Sequence, residues 1–253
     1  MLPEQQDRIA VVLVRARNPQ NIGAVARAMH DLGYADLRVV NEYPVPFEAA
    51  KSAVDASSVL AAAQTPTNVA DAVADCTLVF GTTAVGDRAL EHPLHPLEDA
   101  AALIRRTLAH DPAARIAILF GSEKTGLTNE ELSHCHALLT IPMNTRTAPR
   151  HLSMNLGQAA AVCLYTIAQH PEPNTTIPAE TQANAGDVER ITTLFRELLD
   201  QSGYTRRHPA NAREATVRRL IRRLALTPDD ATVWTGILRQ LLHATKPRTD
   251  LSS

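Results

Sequence analysis

Aromatic side chains are scarce in this 253-residue chain: Phe, Tyr and Trp together make up 4% of it, with a single tryptophan. Large stacking platforms for bases therefore cannot be its main means of holding a ligand. Cysteine is also rare. Cys76, Cys135 and Cys163 are an odd number without C-x-x-C spacing, which argues against a disulfide framework or a zinc site. No apolar run nears the length of a membrane span, and residues 1–8 hold no hydrophobic stretch of secretory type. The net charge of −2 does not announce a polyanion binder, although a local basic patch can hide within such a balance. No G-x-G-x-x-G follows a strand, so the usual dinucleotide fingerprint is missing. There is no internal repeat. With 45% apolar and 21% charged residues, the chain can bury an ordinary core, and a cytoplasmic enzyme without a membrane partner is expected.

What is present centres on residues 116–129. Ile116-Ala117-Ile118-Leu119-Phe120 is an apolar run that predicts a strand buried on both faces. Gly121-Ser122-Glu123-Lys124-Thr125-Gly126 forms a glycine loop, and Thr128 reads as the cap of a following helix. Such a strand, loop and helix bring backbone N–H groups up to a polar or anionic ligand. The spacing nearly matches the phosphate loop G-x-x-x-x-G-K-[ST], but Leu127 stands where the lysine belongs. Nucleotide hydrolysis is thus the weaker reading of this loop.

Further strands are predicted at residues 8–14, 37–40, 77–80 and 137–141. Helices are expected from Ile22, with Gly33 as C-cap, over 47–63, from an Asn68 cap to Ala74, and over 97–109 and 153–170. Alternating strands and helices predict an α/β fold with a mainly parallel sheet covered on both faces. Ligands of such sheets bind beyond the carboxyl ends of the strands, here the loops 18–23, 81–84, 121–126 and 142–152. The organisation reads as a first domain over 1–170 and a proline-containing linker over 171–186. A small helical domain over 187–245 and a tail over 246–253 follow. The helical part has expected helices at 187–201, 212–226 and after Pro228. The second buries Val217, Leu220, Ile221 and Leu224 and turns Arg213, Arg218, Arg219, Arg222 and Arg223 outward.

His134-Cys135-His136 invites a metal reading, but adjacent residues at a helix end point different ways, and ordinary packing is preferred. In Asn21-Ile22-Gly23-Ala24-Val25-Ala26-Arg27, Asn21 can cap a helix while Arg27 sits in an apolar neighbourhood where a charge needs a partner. A cap and a surface arginine are the plain alternative. In Ser153-Met154-Asn155-Leu156-Gly157, Ser153 is a candidate cap and Gly157 permits close packing.

Three motifs occur in order: Asn21-x-Gly23-x-x-x-Arg27; Leu119-Phe120-Gly121-Ser122-Glu123-x-x-Gly126-Leu127; and Ile141-Pro142-Met143 followed by Ser153-Met154-Asn155-Leu156. Together they resemble the SpoU/TrmH family of RNA ribose 2′-O-methyltransferases of the SPOUT superfamily, over roughly residues 9–168. The helical extension resembles that of the TrmJ branch. Two departures are a longer loop between Met143 and Ser153 and Met154 in place of leucine.

The resemblance implies a SPOUT-type sheet whose carboxyl-terminal part is threaded into a trefoil knot, a topology that general rules would not propose. It implies S-adenosylmethionine as cofactor, lined by Thr82, Thr83 and Ala84, by Gly121, and by Ile141, Leu152, Ser153 and Met154. No metal is implied. The implied reaction is methyl transfer to a ribose 2′-OH, of cytidine or uridine at nucleotide 32 of the tRNA anticodon loop in that branch. Ribosomal RNA is the alternative substrate, and a non-catalytic RNA-binding relative the alternative class. Arg27 matches the family's catalytic arginine, with Asn21, Glu123, Ser153 and Asn155 beside it. Since a guanidinium stays protonated, Arg27 is expected to hold a phosphate and stabilise a developing alkoxide. The family acts as a homodimer. Arg15, Arg17, Arg146 and Arg150 are expected RNA contacts near the cofactor loops, and Arg218 and Arg219, with Arg222 and Arg223, are expected on the helical domain.

Overall fold

The computed structural model describes residues 1–41, 57–84, 91–143, 153–169 and 182–245. In order come α1 (Pro3–Gln6), β1 (Ile9–Val14), α2 (Pro19–Leu32), β2 (Asp36–Val40), α3 (Ser57–Ala61), α4 (Val69–Val73), β3 (Leu78–Thr82) and β4 (Leu94–Pro96). Then follow α5 (Leu97–His110), β5 (Ile116–Phe120), α6 (Asn129–Leu132), β6 (Ala137–Thr140) and α7 (Leu156–Ala168). The chain continues through α8 (Ala185–Gln201), α9 (Tyr204–Arg207), α10 (Glu214–Arg222) and α11 (Pro228–Thr245).

The six strands form one sheet in the order β2-β1-β5-β3-β6-β4, and every pairing is parallel. β1 and β5 are buried along their whole lengths, which is why both read as unbroken apolar runs. Their side chains alternate between two cores. Ile9, Val11, Leu13, Ile116, Ile118 and Phe120 pack with residues of α2, α5 and α7, while Ala10, Val12, Val14, Ala117 and Leu119 meet α4 and Leu127 on the other face. A Cβ on Gly157 would lie 2.6 Å from the Ala24 Cβ, so glycine is what lets α7 approach α2. Gly33 closes α2 at φ 82°, and Asn68 caps α4 as expected.

The strand β4 has no counterpart among the predicted strands. It has three residues, too few for a periodic signal, and its Pro96 is tolerated because β4 is an edge strand. Most of the helix expected over 47–63 lies outside the described residues; α3 is its described part. The helices α8, α10 and α11 share a separate apolar core around Val188, Ile191, Val217, Ile221 and Leu238. Asn184 caps α8, which begins two residues earlier than the expected start. The last residues of the expected linker bond back to the segment after α4. The Ala185 N–H donates to the Cys76 carbonyl and the Gly186 N–H to the Ala74 carbonyl, both at 2.8 Å.

Two expectations for α10 are corrected. Leu220 and Leu224 are 50% and 44% exposed rather than buried, whereas Arg218 and Arg222 are 2% and 8% exposed. Arg218 turns inward because the carboxylates of Glu130 and Glu189 await it, and Arg222 turns toward the His136 ring. Among the described residues no helix is long and apolar enough to cross a membrane.

Candidate active site

The site begins where β1 and β5 end, side by side because the two strands are parallel neighbours. Arg15 leaves β1 at φ 57°, an uncommon left-handed conformation for a non-glycine residue, with its N–H donating to the Val40 carbonyl at 2.8 Å. Asn18 then caps α2 by accepting from the Gln20 N–H at 3.0 Å, and Pro19 occupies the first helical position. The expected cap, Asn21, lies inside the first turn instead. Its amide is thereby released for other work.

The loop after β5 is shaped by its two glycines. A Cβ on Gly121 would lie 2.2 Å from the Gly126 carbonyl carbon and 2.3 Å from the Leu127 nitrogen, so only glycine fits. Gly126 sits at φ 66° and donates its N–H to the Ser122 carbonyl at 2.8 Å. Leu127 is 2% exposed and belongs to the core. The position that a phosphate loop fills with lysine thus points inward here. Thr128 caps α6, and Glu131 returns the bond in a capping box.

Arg15 ties the two loops together. Its Nε and Nη2 donate to the Glu131 carboxylate at 2.6 and 3.0 Å, and Nη2 also donates to the Gly126 carbonyl at 2.9 Å. Burial alone would raise the Glu131 carboxyl, but the Arg15 bond and the Thr128 backbone N–H hold it below its usual value. Between the loops lies a cleft of about 370 Å³ lined by Arg15, Arg17, Asn18, Asn21, Ser122, Glu123, Lys124 and Thr125.

At the cleft, Asn21 Nδ2 donates to Glu123 Oε1 at 2.9 Å, and Asn155 Nδ2 donates to Asn21 Oδ1 at 3.1 Å. Asn155 Oδ1 in turn accepts from the Gly157 and Gln158 N–H groups at 3.0 and 3.4 Å. Asn155, not the expected Ser153, is therefore the cap of α7. One residue from each of the three motifs joins this relay. Asn21 is the pivot, because an amide can donate on one side and accept on the other.

Arg27 lies further along the same helix as Asn21. Six residues beyond Asn21 on α2, it is half-exposed and its Nε donates to the Asp31 carboxylate at 3.0 and 3.2 Å. Arg17 is exposed at the cleft, beside Lys124, a lining cation that sequence reasoning missed because no motif marks its position. Arg218 is not a surface contact: Glu130, Glu189 and Glu214 surround it, which corrects its expected phosphate-facing role. Arg219 pairs with Glu91 at 2.7 Å. Leu152, Arg146 and Arg150 lie outside the described residues.

The remaining residues expected on the cofactor side sit at three adjacent strand ends, β5, β3 and β6. Thr82 Oγ1 donates to the Leu119 carbonyl at 2.9 Å, and the Thr83 N–H to the Leu139 carbonyl at 3.0 Å. Ala84, Gly121 and Ile141 belong to the same edge, while Ser153 is exposed and Met154 half-buried just before α7. This wall is made of backbone and small neutral side chains. Nearby, His134 is buried and His136 partly buried. Burial, then Arg218 and Arg222, push the His134 pKa down to about 3, and burial drives that of His136 well below its ordinary value. His136 Nδ1 accepts the Val79 N–H at 3.0 Å, which is the work of a neutral ring.

Residues 8–165 match the model of the SpoU rRNA Methylase family. A tRNA (cytidine/uridine-2′-O-)-methyltransferase TrmJ of Sodalis glossinidius is 32% identical over 249 residues, covering 95% of this chain and 94% of the relative. The crystal structure of TrmJ from Z. mobilis ZM4 is similar with a TM-score of 0.77 and 30% identity, covering 92% of this chain and 98% of that one. A probable methylase family protein from Haemophilus influenzae Rd KW20 matches with a TM-score of 0.57 and 26% identity, over 94% and 97% of the two chains.

Proposed function

The chain belongs to the SpoU rRNA methylase family, and from that membership we propose that it is a tRNA ribose 2′-O-methyltransferase using S-adenosylmethionine. The observation that carries the choice of tRNA is the extent of the likeness. The family model ends at residue 165, whereas the TrmJ relative is matched across 95% of this chain, helical extension included. Within tRNA, the substrate is cytidine or uridine at nucleotide 32.

The neutral wall at the ends of β5, β3 and β6 fits a cofactor that has no phosphate to bind and presents adenosine, a sulfonium and an amino-acid end. Bound there, S-adenosylmethionine supplies an already activated methyl group. What is left to the protein is positioning and lowering the cost of a ribose alkoxide. Thr82, Thr83, Ala84, Gly121, Ile141, Leu152, Ser153 and Met154 are assigned to hold the cofactor. Glu123, Asn21 and Asn155 orient the ribose hydroxyl, and Arg27 holds the adjacent phosphate and stabilises the alkoxide.

The same reading carries four structural assignments. Residues 1–170 form the methyltransferase domain, with its carboxyl-terminal part threaded as a trefoil knot. Residues 187–245 form a helical domain. The protein works as a homodimer, as the family resemblance implies. It works in the cytoplasm, which suits three buried free thiols.

The test is methyl transfer from labelled cofactor to tRNA and ribosomal RNA of a strain lacking the modification, with the modified ribose mapped. Label at the 2′-oxygen of nucleotide 32 is expected. Label in ribosomal RNA only would overturn the substrate, and no label in either would overturn the enzyme.

A further inference from the structure

We propose that Arg218 is a positioning residue for the active site: through it the helical extension fixes α6, and with α6 the loop that carries Gly121 and Glu123. The proposal rests on the methyltransferase reading for its activity readout alone.

The helix α6 has four residues, far too few to hold its shape unaided. Consecutive residues of a helix point about 100° apart, and α6 uses that divergence. Glu131 reaches the β1 loop, where Arg15 grips it. Glu130 reaches the other way, to α10, where it accepts from Arg218 Nη1 at 2.9 Å. Ser133, just past α6, accepts from the same Nη1 at 2.7 Å. A third side of the wedge faces β3: a Cβ on Gly81 would lie 2.8 Å from the Leu132 side chain, directly before Thr82. One short helix thus touches the ribose cleft, the cofactor wall and the extension.

The grip on the extension side is complete. Arg218 Nε and Nη2 donate to the two Glu189 oxygens at 2.8 and 3.1 Å, and Nη2 also donates to Glu214. With Glu130 and Ser133, all five guanidinium N–H groups are used. The partners come from α6, α8 and α10, so the guanidinium is a shared joint, and at 2% exposure it has no surface to offer an RNA phosphate. Arg15 and Arg218 act as two cations holding one helix turn from opposite sides.

Arg218→Ala leaves carboxylates facing one another, a change that can abolish folding, so the decisive variant is Glu130→Ala, which keeps the Ser133 Oγ bond to the residue 130 carbonyl within α6. The Glu130 side chain is 59% exposed, and Arg218 keeps Glu189 and Glu214 in this variant. In the substrate-free protein, amide exchange over residues 121–131 is expected to accelerate about tenfold. The saturating methyl-transfer rate should fall about fivefold or more, while the KM for tRNA stays within about twofold. Unchanged exchange, an unchanged saturating rate, or an effect confined to the KM for tRNA would each overturn the role. A wild-type protein that transfers no methyl group would instead overturn the proposed function, and the exchange experiment would still decide whether α6 depends on Arg218.

Discussion

Leu127 is where a single side chain separates this loop from a phosphate loop. Its burial means that a lysine here would meet the core rather than a phosphate. Leu127→Lys should lower stability by about 2–4 kcal/mol, read from the urea midpoint, and should create no affinity for ATP or GTP. Arg27 is the other residue-scale case. As an electrostatic anchor, Arg27→Ala should cost about 100-fold or more in single-turnover methyl transfer, and Arg27→Lys should keep part of the rate because charge survives while the planar fork is lost. Near-normal transfer by the alanine variant would remove Arg27 from the mechanism. Some of this scale is legible in the chain. Thr128, Asn68 and Gly33 cap helices as their residue types dictate. Asn18 and Asn21 are both capping residues by type, and it is Pro19, the usual mark of a first helical position, that singles out Asn18.

At the scale of elements, the turn between α6 and β6 holds two imidazoles in their neutral forms, His134 buried and His136 partly so. The His134 pKa lies at about 3, below the ordinary value of 6.5. The unfolded chain therefore takes up a proton that the folded one refuses. The stabilising contribution is fully present above pH 6.5 and is lost as pH falls toward 3. Its size is on the order of a few kcal/mol, since a tenfold difference in proton affinity between the folded and unfolded chain corresponds to about 1.4 kcal/mol. Urea midpoints measured between about pH 7.5 and 4.5 should fall with pH, and His134→Phe should flatten the decline without abolishing it, because His136 contributes with the same sign. An identical slope in the variant would show that His134 is not the group responsible. These histidines lie on a segment whose sequence shows only alternating polar and apolar residues. Their burial is produced by α10, which arrives about 80 residues later in the chain and brings Arg218 and Arg222 against them.

For the whole molecule, net charge misleads. Although the chain carries −2 overall, the cleft presents Arg17 and Lys124 on its rim. If both meet RNA phosphates, Arg17→Gln with Lys124→Gln should reduce the slope of log K against log salt for tRNA binding by about 2, roughly one per cation removed. Cofactor affinity, measured by calorimetry, should not change. A salt slope equal to that of the wild type would exclude both residues from the RNA contact. Compensation elsewhere explains the balance: Arg218 is neutralised by three glutamates, and Arg38 by Asp36 and Asp75.

Local periodicity determined many of the elements, among them the buried strands β1 and β5 and the glycine loop after β5. It could do so because each of those signals lies within a few residues of its cause. The motifs also singled out Asn21, Glu123 and Asn155, which the structure brings together. Only the tertiary structure decided how they meet. The contact of Asn21 with Glu123 spans 102 residues, and that of Asn155 with Asn21 spans 134. Likewise, an outward-facing arginine helix and an inward-facing one have the same sequence. The choice fell to Glu189 and Glu130, which lie 29 and 88 residues from Arg218 and offset the cost of burying its charge.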